Sequence, residues 1–278
     1  MQTSPRHLSL IQAELNGGKT TKADIDRLAE APDACYLSVS GLEQQTLEYL
    51  VATYGSRLVA LNLWKCPRIE SLAPLENLPK LRFIAMYWNQ KTDQLWNFSR
   101  NKQLAGVRFT DFSKLRSLDQ FAEARSVEEL EFGHDLSGKK LVFDSLAPLA
   151  GLDRLKHLTI GAQGIRDERV EPLGMLSGLQ TIHFGTSLFT TEQVAWLRAR
   201  LPHSVKSSVL DAFRTIYPPI QLGGKAIDTF VVGHRKPSLD SRTDASRIEK
   251  YRRDFDAMLE FFTVNREACP ADYCIQKA

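Results

Sequence analysis

Trp64 and Tyr87 stand 23 residues apart, and Phe83 and Trp88 flank Tyr87 in one short segment. Arg108 and Asp111 follow, then Glu129, Glu131 and His134, then His157 and His183. Aromatic rings beside a guanidinium are the residue types enriched where proteins anchor one another. Two carboxylates next to the arginine extend such a surface with negative charge. The chemistry that suits this set is recognition: a partner offering an apolar knob beside a basic side chain. The three histidines recur at steps of 23 and 26 residues. A metal site would need them to converge with supporting partners. A varied polar face, with contacts that titrate near neutrality, accounts for them more simply. No metal or cofactor is expected.

Motifs of catalysis are missing. The chain contains no H-E-x-x-H, no G-x-S-x-G and no complete phosphate loop, and Gly223-Gly224-Lys225 lacks the rest of the last. The 278 residues carry 36 Lys+Arg against 33 Asp+Glu, a net charge of +3, too weak for a binder of phosphate backbones. Arg247, Lys250, Arg252 and Arg253 are interleaved with Glu249, Asp254 and Asp256, which marks a solvated helix face. No nucleic-acid partner is expected. No apolar run approaches the ~18–20 residues of a membrane span. The start, MQTSPRHLSLIQAELNGG, lacks the basic, apolar and small-residue segments of a signal peptide, so a cytoplasmic location is expected. Cys35, Cys66, Cys269 and Cys274 are read as free thiols, the first two as small core residues.

The candidate residues must be positioned by something, and the sequence repeats at the right interval. LVALNLWKC from Leu58 has apolar residues at its first, fourth and sixth positions. The frame recurs as LRFIAMYWN from Leu81, LAGVRFTDF from Leu104, VEELEFGHD from Val127, LKHLTIGAQ from Leu155 and LQTIHFGTS from Leu179. A weaker copy, ACYLSVSGL, begins at Ala34. Positions four and six share a face of an extended chain, so each copy predicts a short strand buried on one side. Between the copies runs a second apolar comb at spacing three, as in Ile69, Leu72, Leu75 and Leu78. That spacing predicts a tight helical turn opposite the strand. One strand and one turn cannot bury both combs, whereas stacked coils give them a continuous core.

On these frames the chain resembles the leucine-rich repeat family, in its short 22–24-residue irregular class. The resemblance implies an α/β solenoid with a parallel sheet on its concave face, and suggests a bacterial protein. It covers residues 34–201, about seven repeats. The family's usual ninth residue, asparagine, stands only at Asn89, with Cys66, Phe112, Asp135, Gln163 and Ser187 elsewhere. The step after Val127 is longer, and DLSGKKLVFDSL (135–146) is expected to bulge on the convex side.

Residues 1–33 are read as an N-terminal helical cap, with Leu8, Leu10, Ile11 and Leu15 on a helix stopped at Gly17-Gly18. Residues 202–278 are read as an α/β C-terminal capping region. In it YPPIQLGGK (217–225) is a connector, 227–234 a strand, Ser241 and Asp244 a capping box, and 245–262 an amphipathic helix. The tail after Asn265 is expected to fray. The non-core strand positions then line the concave face. Trp64, Phe83, Tyr87 and Trp88 form one aromatic patch there, with Arg108 at its edge.

The function expected is a non-catalytic protein–protein interaction module that binds its partner on the concave face. An immunity protein that neutralises a toxin is one specific version. The other class is the cysteine ubiquitin-ligase effector that some leucine-rich bacterial proteins resemble. Cys269 and Asp272 would be its candidates by position, but the region after Pro202 is too short for such a domain.

Overall fold

The structure, a computed structural model, describes residues 6–133 and 141–276. In chain order the elements are β1 (His7–Leu10), α1 (Lys22–Asp26), β2 (Tyr36–Ser40), α2 (Gln44–Tyr54), β3 (Ala60–Trp64), β4 (Phe83–Asn89), β5 (Gly106–Phe112), β6 (Glu129–Gly133) and β7 (Val142–Phe143). There follow β8 (His157–Gly161), β9 (Gly164–Ile165), α3 (Glu171–Gly174), β10 (Thr181–Phe184) and α4 (Thr191–Arg200). The chain continues through β11 (Phe213–Leu222), β12 (Lys225–Val231), β13 (Ser238–Leu239), α5 (Ala245–Val264) and α6 (Pro270–Gln276). One parallel sheet has the order β1-β2-β3-β4-β5-β6-β8-β10. Each repeat frame supplies one strand of it. Leu37, Leu61, Ile84, Val107, Leu130, Leu158 and Ile182 lie in register across the sheet and are all buried.

The convex side follows the second comb. After β2 it is the full helix α2, and in later coils it shortens to 3₁₀ turns at Ala73–Asn77, Phe98–Arg100, Asp119–Glu123 and Ala147–Leu149. Leu72, Leu75, Leu78, Leu115, Leu118 and Phe121 are buried between strands and turns. Burying each such side chain contributes about 1.5–3 kcal/mol. Through the middle coils an aromatic spine runs Trp96–Phe98–Phe121–Phe109–Phe132–Phe143, with neighbouring centroids 4.4–6.2 Å apart. Asn89 acts as the repeat asparagine should. Its Nδ2 donates to the carbonyls of Cys66 and Ile69, and its Oδ1 accepts from the amides of Lys91 and Thr92. Where Cys66 replaces it, Sγ makes only long contacts with the carbonyls of Val39 at 3.9 Å and Trp64 at 3.8 Å, and burial pushes the thiol pKa up to about 12. Cys35, expected in the core, is only half-buried. The expected convex bulge at 135–146 lies outside the described residues up to 140; from 142 the chain forms β7, which pairs with β9.

The ends depart from expectation. Leu8 and Leu10 belong to a strand, not to a cap helix: β1 pairs in parallel with β2, with Leu10 opposite Val39. HLSLI fits a period of two as well as a helical one, and the open edge of β2 offers unpaired backbone groups that decide between them. Among the described residues of this region only α1 is helical, with Thr21 and Asp24 forming its capping box. At the other end, 217–225 is not a connector. It is most of β11 and the turn into β12, antiparallel, with an irregularity between Thr215 and Ile220 that accommodates Pro218 and Pro219 on an edge strand. Ser241 and Asp244 do not form a capping box. Ser241 bonds Asp228, while the Asp244 carboxylate accepts from the Asp240 amide and pairs with Lys225 and Arg247.

The tail does not fray at Asn265. It forms α6, which buries Tyr273, and Trp196 Nε1 donates to the Ala268 carbonyl at 2.8 Å. Arg200 donates to the carbonyls of Phe262, Arg266 and Ala268. Among the described residues no helix is long and apolar enough to cross a membrane.

Candidate binding face

Alternate residues of each strand point away from the core, and the parallel register aligns them into three rows. The first row is Tyr36, Ala60, Phe83, Gly106, Glu129, His157 and Thr181. The second is Ser38, Asn62, Ala85, Arg108, Glu131, Thr159 and His183. The third is Ser40, Trp64, Tyr87, Thr110, Gly133 and Gly161. Between the first two rows lies an open recess of about 680 Å³, bordered by Tyr36, Asn62, Phe83, Arg108, Glu129 and His157.

The aromatic residues do not make one patch. Trp64 and Tyr87 face each other across β3 and β4 and stack, with centroids 4.4 Å apart. Phe83 sits four residues before Tyr87, in another row, so its ring belongs to the recess and not to the stack. Spacing along a strand separates what proximity in sequence suggested. Trp88 is in neither row. With Lys65 and Asp111 it shares the eighth frame position, one residue past the third row, where the backbone takes a positive φ (51°, 62° and 63° for Lys65, Trp88 and Asp111). This position marks the rim of the sheet beyond the third row, and Trp88 is half-buried there. Lys65 Nζ donates to the Leu15 carbonyl at 2.7 Å and lies 5.7 Å from the Trp64 ring, tying the N-terminal loop to the rim.

Arg108 and Glu131 are cross-strand neighbours and pair at 3.1 Å. Arg108 is exposed and Glu131 partly so, and a pair this open to solvent contributes about 0.2–1 kcal/mol. Glu129 is exposed, opposite Gly106 and His157. His157 lies opposite Thr181 and contacts its hydroxyl at 2.9 Å, while His183 lies opposite Thr159. The two histidines therefore stand in different rows and do not converge. His134 lies outside the described residues. Among the described residues no three His, Cys, Asp or Glu side chains come together as a metal set. At Gly133, where φ is 132°, a Cβ would come within 2.4 Å of the Gly161 backbone, whereas one at Gly185 would meet nothing within 4 Å. Cys269 is half-buried before α6, and its backbone N–H donates to the Asp272 carboxylate at 2.7 Å. That carboxylate caps a helix.

Sequence reasoning missed Tyr36 and His7. Tyr36 is 40% exposed at the same frame position as Phe83, and its signal was present in the weak first copy. His7 lies beside it on β1 and contacts Ser38 Oγ at 3.1 Å, but the segment that carries it also fits a helical period, which hides its place on the face.

No protein-family model matches the sequence, and no curated protein matches it. Solved structures resemble the coordinates. Internalin C2 of Listeria monocytogenes is 19% identical with a TM-score of 0.40, over 68% of this chain and 73% of that one. Internalin F of the same organism is 16% identical with a TM-score of 0.41, over 71% and 60%. TLR13, in a complex with ssRNA13, is 14% identical with a TM-score of 0.44, over 79% and 34%. The frames at 34–187, the parallel sheet with one strand per frame, the turns opposite it and the Asn89 bonds together give this chain a leucine-rich repeat fold.

Proposed function

We propose that the protein is a non-catalytic binding module that holds a partner protein against the concave face of its sheet. One observation carries this reading: the open recess of about 680 Å³ joins exposed rings, a guanidinium and carboxylates on a rigid floor of paired strands. A preformed floor loses little freedom on association, so its contacts convert efficiently into affinity. Two carboxylates stand beside one arginine, Arg108, on the face, which supports a protein over a polyanion. The residues proposed to contact the partner are Phe83, Arg108, Glu129, Glu131, His157 and His183, with Trp64, Tyr87, Trp88 and Asp111 on the rim beside them.

Affinity capture from the source organism tests the reading. Phe83→Ala with Arg108→Ala should leave the circular dichroism spectrum unchanged and weaken capture by about 30-fold or more, the scale of an interface anchor. Trp64→Ala with Tyr87→Ala and Trp88→Ala reports on the rim separately. Undiminished capture by both variants would place the partner elsewhere. Cys269→Ala should change nothing, and a loss with that variant would restore the thiol as a reactive group.

A further inference from the structure

Resting on that reading, we infer that the recess takes an extended segment of the partner that carries an apolar side chain and, four residues later, a lysine or arginine. The apolar pocket is centred on Ala60. In the first row Tyr36 and Phe83 stand on either side of it, and the next row offers the small Ala85 beside it. Gly106 keeps the pocket open. A Cβ there would lie 2.7 Å from Phe83 Cδ1, so the Phe83 ring leans over the glycine and away from Ala60. The Arg82 guanidinium, 5.7 Å from the ring centroid, favours that position.

Beyond the ring the same row presents Glu129, exposed and without an ion pair among the described residues, whereas Glu131 is already matched by Arg108. Among the described residues the uncompensated charge of the recess is therefore negative and sits toward one end of the row. Ala60 and Glu129 are three strands apart, about 14 Å at the usual strand spacing. An extended chain places residues i and i+4 on one face about 13 Å apart. A segment crossing the strands thus seats an apolar side chain at Ala60 and brings its cation to Glu129. The Asn62 amide, two residues beyond Ala60 on β3 and with a 3.5 Å contact to Ser38 Oγ, is placed to meet the segment's backbone at its apolar end.

A random twelve-residue peptide library displayed on phage, selected on the intact protein, tests this. Enriched peptides should share an apolar residue followed at the fourth position by Lys or Arg. Selection on Glu129→Lys should exchange that cation for Asp or Glu. Gly106→Ala, which drives the Phe83 ring toward Ala60, should weaken an enriched peptide at least tenfold while its charge preference persists. Thermal melts of both variants check folding. Peptides without the pair, an unchanged preference on Glu129→Lys, or no enrichment over bare support would each overturn the inference. If peptides lacking the pair are still lost on Phe83→Ala, the inference falls and the protein-binding reading stands. If neither Phe83→Ala with Arg108→Ala nor Glu129→Lys alters capture of the natural partner, both fall.

Discussion

The middle coils and the C-terminal unit solve the same problem of burial in different ways. From β3 to β6 every coil repeats the last, so its apolar residues meet equivalents above and below and the core has no natural break. The unit built from β11–β13, α5 and α6 has no such translation. β11 buries Phe213 and leaves Tyr217, Ile220 and Leu222 largely exposed, and the helices are fastened at a few points, Phe255, Phe262, Trp196 and Arg200 among them. Periodicity distributes stability, and a cap concentrates it. The same contrast supports placing the proposed binding face on the coils, where the parallel register aligns side chains into long rows.

The contrast can be broken most sharply at Phe109, which touches Phe112, Phe121, Phe132 and Phe143. Phe109→Ala should cost about 3–5 kcal/mol and lower the melting of the whole array together. A denaturant titration followed by both tryptophan fluorescence and circular dichroism checks it. Non-coincident transitions would show that the coils are not one continuous core.

Arg200→Ala should act locally. Its guanidinium serves the carbonyls of Phe262, Arg266 and Ala268, so its loss should cost about 1–3 kcal/mol and expose α6 to exchange while β3–β6 keep their protection. Hydrogen exchange by mass spectrometry reads this directly. Loss of protection across the sheet would mean that the cap sustains the coils.

The smallest effect concerns pH at the N-terminal end. Asp26 Oδ1 accepts from the hydroxyls of Tyr49 at 2.7 Å and Tyr54 at 2.8 Å, and these bonds, Tyr49 first, hold its carboxyl below its ordinary value of 3.8. A carboxyl lowered by folding stabilises above its unfolded value and loses that contribution as pH falls through 3.8 and below. Melts of Asp26→Asn should therefore show a shallower acid limb than the parent, with the curves converging at the lowest pH. An equal slope would mean that the two phenols do no more than pack.

How much of this was legible follows the same division. Repetition made the strands and turns readable, because each frame confirmed the others and the residues at positions four and six all proved buried. Tertiary context decided the rest. Leu8 and Leu10 fit two periods, and only the open edge of β2 selects the strand. Pro218 and Pro219 signal a turn anywhere except on an edge like that of β11. At the site, residue types and frame positions placed Arg108, Glu129 and Glu131 on one surface. They could not divide Phe83 from Tyr87, which sequence proximity joins and the strand rise separates by about 13 Å. Nor could they show that Gly106 sets the tilt of the Phe83 ring.

Hydrogen exchange of the protein alone and bound to its captured partner tests the central claim most directly. The account predicts new protection in 60–64, 83–88 and 106–110, with little change in the turns at 73–77 and 119–123. Protection confined to those turns or to the 213–225 hairpin would contradict it.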